Sequence, residues 1–489
     1  MLNKVTCLSI ALLTIIAACE RDEIFPSIGD KVASPIDVEV SESGEYFYVL
    51  NADFDRTYNK GSILVLDQDG NKIKSVEIPR LGRSITVTDK DMIVTTDFPD
   101  DKGRAQVLLF DITNPAEPLL QRSLEINCSP INSTMRKNYD YFFVSCADGN
   151  LHIGKLEADR AASWIKNIRR FDVTRRALYI DPKRDLLFAF TTDIGSGQTS
   201  SDREFIDVST FNQIPEEVKD ENGDSMPDDV PDEMQSSPRQ IATSGGKGVY
   251  QFTVYDIAAE KVHDFPMRTG LDPVIKEETR WIYFYLNNFD GTPDSLGALD
   301  PNFKYYRTNF WDVKPDPFDP DTFYLSHRGV PQKSAFANQI VKVQFVGDIR
   351  PSSEGKVPLT GDVLTFERIS GFKGEGLNGV ETTKFHYPGD FELTEINGQQ
   401  VLVVNHFRDL ASEAWTRKEV YFSITAKTLE ENSWFTELQG SLYSPNITTY
   451  YQIAINKSGR AVSGSFYGNA VILLEVTPGV GIREIKRIE

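Results

Sequence analysis

The 489-residue sequence predicts an all-β fold, a seven-bladed β-propeller, on three observations. Helical periodicity is nearly absent, while short strand-like runs bounded by Gly, Asp, Asn and Pro recur down the chain. One unit repeats seven times: a four- or five-residue apolar run that usually closes on a polar residue. Its first three copies, Ile63 to Asp67, Val107 to Asp111 and Leu151 to Lys155, are spaced 44 residues apart, the length of one four-stranded blade. A pair of β-sandwich domains leaves that period without a cause.

The remaining copies are Phe252 to Asp256, Ile340 to Gln344, Val420 to Ile424 and Val471 to Glu475, at longer intervals that must hold insertions. Ahead of most copies lies a two-strand hairpin, as in "IDVEVSESGEYFYVLNADFD", "NFWDVKPDPFDPDTFYLSHRG", "FELTEINGQQVLVVNHFRD" and "YQIAINKSGRAVSGSFYGN". Each reads as strand, polar turn, strand, polar loop. This grammar resembles the YVTN-type β-propellers, with Tyr48-Val49-Leu50-Asn51 the nearest match to the motif for which they are named. The resemblance covers residues 34–489 as a single domain and implies a fold rather than an activity.

The chain before the propeller reads as an export and anchoring segment. Lys4 precedes an apolar run, Val5 to Ala18, too short to span a bilayer as a helix, and Ala17-Ala18-Cys19 ends it. The segment resembles a bacterial lipobox. That resemblance implies a signal peptide over residues 1–18, a lipidated Cys19 and a tether over 19–33, with Glu20 favouring outer-membrane sorting in a Gram-negative envelope. Export agrees with cysteine usage: in the mature body only Cys128 and Cys146 remain, placed to meet across a hairpin turned at Lys137 to Asp140, and a disulfide is expected. Two unpaired buried thiols are the alternative.

In a propeller the central strands are covered by neighbouring blades, so an apolar strand that breaks into carboxylates marks the loop face. On this reasoning the ligand-binding candidates are Asn51, Asp53, Asp55, Arg83, Asp97, Asp193, Arg307, His327, Arg328, Asn405, His406 and Arg408. Interleaved Arg, Asp, His and Asn suit a polar or zwitterionic ligand, or an anion held by Arg. The same residues suit a loop face that merely pairs its own charges.

A formal charge of −20 argues against nucleic acid as a partner. The chain has no C-x-x-C-H for haem, no nucleotide-binding Walker loop, no G-x-S-x-G and no paired-His zinc motif. These absences favour a lipid-anchored binding or scaffold protein that meets a protein, glycan or small polar ligand at its loop face. The competing reading is a lactonase-like, metal-assisted hydrolase using Asp53, Asp97, Asp193 and Asn405.

An acidic insertion spans about residues 195–245. Within 216–233, nine Asp or Glu face the single Lys219. Asp220, Asn222, Asp224 and Asp228 resemble the alternating oxygen ligands of D-x-N-x-D-G calcium loops, although Ser225 stands where Gly is usual. Bound Ca²⁺ and a solvated acidic loop are both open. A later stretch rich in aromatics, including Phe303, Tyr305 and Tyr306, is expected to pack over one face.

Overall fold

The computed structural model describes residues 25–97, 104–136, 140–147, 150–157, 161–169, 177–190, 242–243, 247–248, 250–266, 309–328, 339–349, 364–371, 385–409, 420–429, 434–441 and 447–489, several strands by their backbone alone. Seven four-stranded antiparallel sheets form the blades of a propeller. Each first strand lines the axis. These inner strands are Pro35–Val40, Gly82–Val87, Pro130–Met135, Ala177–Asp181, Asn309–Pro315, Phe385–Ile396 and Ile453–Ile455, for blades 1 to 7. All seven copies of the sequence repeat fall on third strands, from Gly61–Asp67 in blade 1 to Ala470–Thr477 in blade 7.

The expected two-sided burial is present. In blade 1, Tyr48, Leu50, Ile63 and Val65 pack with Ile85, Met92 and Val94 of blade 2. Their sequence neighbours Phe47, Val49, Leu64 and Leu66 point the other way, onto Ala454, Val462, Val471 and Leu473 of blade 7. Alternation along a strand therefore places apolar residues on both faces, and each face has a neighbouring blade to bury it. The outer strand of blade 1, Lys72–Ile78, is covered only towards its end, at Val76 and Ile78, and carries Lys72, Lys74, Ser75 and Glu77 elsewhere.

Blade 1 comprises the first four strands and blade 7 the last four, so the ring closes without strand exchange. Closure rests on the blade 7–blade 1 core and on side-chain links that include Lys72 to the Glu489 carbonyl at 2.7 Å and Lys486 to the Gly70 carbonyl at 3.1 Å. Asn469 accepts from the Ser34 N–H at 2.7 Å, and Asn456 donates to the Gly44 carbonyl at 2.8 Å.

The acidic insertion leaves between the second strand of blade 4, Leu186–Phe190, and its third, Tyr250–Asp256. Its origin is therefore on the same face as the loop after Asn51. Residues 220–228 and the aromatic stretch at 303–306 lie outside the described residues, as do residues 1–24 with Cys19.

Blade 3 shows how tightly the ring packs. Gly154 sits directly opposite Phe142, whose ring covers the space a side chain would fill. A Cβ at Gly154 would come within 1.9 Å of the fully buried Phe142 ring. Gly154→Ala is expected to destabilise the protein by about 2–3 kcal/mol through overpacking. A denaturant midpoint equal to that of the parent would contradict that packing.

Candidate functional site

A cavity of about 260 Å³ lies on the propeller axis, lined by inner-strand residues of blades 1 to 6 and by Gln452 just before that of blade 7. Its wall is built in two layers. One residue per blade forms the first: Asp37, Ser84, Asn132, Leu178, Asp312, Asp390 and Gln452. Two residues further along lies the second, with Glu39, Thr86, Thr134, Ile180 and Lys314. Glu392 occupies the same level in blade 6, two residues after Asp390. Acidic charge gathers on the arc of blades 5, 6 and 1, whereas blades 2 and 3 present hydroxyls, an amide and the Arg83 guanidinium.

The first-layer acids tie the ring together. An innermost strand has one edge that no strand pairs, and its N–H groups need acceptors. Asp37 accepts from Ile85 N at 2.9 Å, Asp390 from Ile453 N at 2.8 Å, and Asp312 from Phe391 N at 3.5 Å. Each bond crosses to the next blade. Register shifts at Pro35/Asp37, Phe310/Asp312 and Pro388/Phe391 coincide with these acids, as expected when a bulge re-aims a side chain.

The second layer is electrostatically loaded. Lys314 Nζ lies 2.7 Å from Glu392, 3.8 Å from Asp312 and 3.9 Å from Asp390. Burial opposes its charge, but Glu392, Asp312, Asp390 and Glu39 outweigh that and hold its pKa well above the usual lysine value. One cation thus serves several carboxylates. Burial pushes Glu39 up to about 8, against the pull of Lys314 and with Glu392, Asp37 and Asp312 adding to the rise. Asp390 is likewise raised by burial, against the pull of Lys314 and with its hydrogen bond to Asp312 adding to the rise.

Among the expected loop-face residues, Arg83 does line the cavity, where its guanidinium reaches the Pro130 carbonyl at 3.3 Å and Asp97 at 3.6 Å. Asp97 also accepts from Ser129 Oγ at 2.8 Å. Asp55 is exposed on the loop after Asn51. Four others turn inward, a correction to the expected open mouth. Asn51, wholly buried, bridges Ala33 N, Lys31 O and Ser62 Oγ. Asn405 donates to the Tyr450 and Tyr451 carbonyls. His406 Nε2 meets Thr425 Oγ1 at 2.6 Å inside blade 6.

Asp53 organises its own loop. With φ at +49° and 1% exposure, it accepts from Thr57 N at 2.9 Å and Tyr58 N at 3.1 Å, and lies 3.7 Å from Arg80. Asp53→Ala is expected to lower stability by about 2 kcal/mol, from the lost bonds and the less tolerated left-handed backbone. Asp53→Asn, which keeps an acceptor and tolerates that backbone, should lose clearly less in the same thermal melt.

His327, Arg328 and Arg408 lie on second strands whose side chains there are outside the described residues, and Asp193 and Arg307 fall outside them altogether. The hydrolase reading loses two of its carriers, since Asp53 and Asn405 spend polar atoms on backbone groups. The only described group of three His, Cys, Asp or Glu side chains within metal-binding reach of one another is Cys128, Cys146 and His152.

The inner-strand acids were missed as site residues, although the sequence carries a signal for them. Asp37-Val38-Glu39, Asp312-Val313-Lys314 and Asp390-Phe391-Glu392 repeat an Asp, apolar, charged triplet on three first strands. A second feature, on the loop face at the blade 7–blade 1 seam, is aromatic. Phe54 and Tyr467 are each more than half exposed, and their rings lie 5.8 and 5.0 Å from Phe466.

Neither a family model nor a curated protein matches the sequence. Solved structures do resemble the fold. The periplasmic gluconolactonase PpgL of Pseudomonas aeruginosa is 10% identical with a TM-score of 0.50, over 91% of this chain and 96% of that one. The β-propeller domain of Cps50 (Swd1) from Myceliophteria thermophila is 7% identical with a TM-score of 0.46, over 91% and 98% of the two chains. A Lactobacillus plantarum protein is 11% identical with a TM-score of 0.42, over 82% and 83%. At such identities the likeness is one of fold, and the chain is a seven-bladed β-propeller.

Proposed function

We propose that the protein is a lipid-anchored binding propeller of a bacterial envelope, and that its axial cavity takes a small ligand bearing an ammonium group. The observation that carries this reading is Glu39. Its carboxyl faces the cavity, makes no hydrogen bond or ion pair with a described residue, and shares the single Lys314 with Asp312, Asp390 and Glu392. A proton now offsets that surplus of acid, and an ammonium group can take the proton's place. Thr86 on the next blade and Asn132 on blade 3 line the same cavity, and the Thr86 hydroxyl donates to the Ser133 carbonyl at 2.8 Å. The volume lies just below the roughly 300–1,000 Å³ of common small-molecule sites, which suits a ligand the size of an amino acid or amino sugar.

Thermal-shift titration at pH 8 with ethanolamine, glucosamine, lysine and putrescine tests this, beside their hydroxyl analogues. At least one amine should stabilise the parent and leave Glu39→Gln unmoved. Equal shifts in both proteins would end the proposal.

The lipobox resemblance supports an anchor at Cys19 and outer-membrane placement. Cys19→Ala should move the protein from the membrane to the soluble fraction; retention in the membrane would contradict the anchor. Ca²⁺ in the loop at Asp220, Asn222, Asp224 and Asp228 is proposed on ligand spacing alone, and Asp220→Ala should abolish Ca²⁺ uptake in equilibrium dialysis. A second reading, a protein or glycan partner on the loop face, is favoured by the exposed rings of Phe54 and Tyr467.

A further inference from the structure

Cys128 and Cys146 are joined by a disulfide, their Cα atoms 5.9 Å apart. Cys128 precedes the inner strand of blade 3, and Cys146 ends the second strand, Tyr141–Cys146. A third residue belongs to the same cluster. His152, on the third strand Asn150–Leu156, pairs with Val144, and its ring nitrogen and both sulfurs all lie within 4.8 Å of one another. Trp164 covers the imidazole, its ring 5.4 Å away and edge-on. Both sulfurs sit in the apolar core shared by blades 2 and 3, while His152 is half-buried.

Two thiolates and an imidazole are a borderline-soft donor set that suits a d¹⁰ cation. Tetrahedral Zn²⁺ with thiolate arms near 2.3 Å needs its donors about 3.5–3.8 Å apart. The three donor atoms already lie within 4.8 Å of one another, so side-chain adjustment on the order of an ångström separates the cluster from a common ion. As a disulfide the sulfurs offer no thiolate, and the site is closed.

We propose that Cys128, Cys146 and His152 form a redox-gated site for Zn²⁺, closed in the oxidised protein and opened when a dithiol reduces the Cys128–Cys146 bond. The balance is simple. The S–S bond breaks, the dithiol gives up two electrons and two protons and becomes a disulfide itself, and two cysteine thiols form. Zn²⁺ then displaces both thiol protons to solvent and takes the imidazole lone pair. Three protein ligands leave one position open to water.

The test uses the full-length chain in mild detergent, reduced by a dithiol that is then removed without air, with Zn²⁺ as the probe in competition against a chromophoric chelator. The reduced protein should bind one more Zn²⁺ per chain than the oxidised protein. Cys146→Ser should lose that increment, and His152→Ala should weaken it by about ten-fold or more. On the proposed reading Cys7 leaves with residues 1–18 and Cys19 is acylated, so Cys128 and Cys146 are the thiols that reduction releases. The parent's tryptophan emission should change on Zn²⁺ addition, and Trp164→Phe should remove most of that change. No increment on reduction, an increment untouched by His152→Ala, or loss of the folded circular-dichroism signal on reduction alone would each overturn the proposal.

Discussion

Lys314→Met is expected to destabilise the protein by about 3 kcal/mol at pH 8 and by distinctly less at pH 5. Among the described residues, Lys314 is the one cation in contact with Glu392, Asp312 and Asp390. Methionine keeps the stem and removes the charge, which leaves those carboxylates facing one another across a confined space. Breaking a buried ion pair from one side commonly costs about 3–5 kcal/mol, and the partial water access of this cavity places the effect at the lower end. Burial raises Asp390 and Glu392, so a lower pH favours their neutral forms and the repulsion subsides. Denaturant unfolding at the two pH values separates the cases. An equal loss at both would mean that the lysine acts through packing alone.

Glu39→Gln should act in the opposite direction at alkaline pH. The Glu39 carboxyl titrates near 8 in the folded chain, against an ordinary value of 4.5. Between those values the folded state holds a proton that the unfolded state has lost, so stability falls as pH rises through the window. One such group contributes at most about 1.4 kcal/mol per pH unit. Below pH 4.5 both states are protonated and the contribution vanishes. Glutamine is neutral throughout, so the variant should match the parent near pH 4.5, exceed it by pH 8, and show a flatter profile between. Parallel profiles for the two proteins would place Glu39 in open water.

Much of the fold was legible because propeller blades leave a strong one-dimensional trace. Third strands such as Ile63 to Asp67 are covered on both sides, so they read as uninterrupted apolar runs, and a fixed blade size spaces them. The blade 4 insertion was visible as acidic composition. Its place between second and third strands followed only from the pairing of Leu186–Phe190 with Tyr250–Asp256.

The site was less legible for a physical reason. A polar residue at the end of a buried strand has two uses, presentation to solvent and satisfaction of backbone groups, and sequence does not separate them. Asn51 and Asn405 satisfy neighbouring backbone groups, and Asp53 holds its own loop. The axial charges have the converse problem. Glu39 and Glu392 alternate with apolar residues as any half-exposed strand does. Their proximity to Lys314 emerges only when blades 1, 5 and 6 close around one axis.

Calorimetric titration of the protein at pH 7 with an amine that stabilises it, in two buffers of different ionisation enthalpy, tests the central claim most directly. If an ammonium group takes the place of the Glu39 proton, binding should release up to one proton per ligand, and the release should vanish together with high affinity in Glu39→Gln. Buffer-independent heats with unchanged affinity in Glu39→Gln would show that the axial carboxyls serve the ring's architecture and not a ligand.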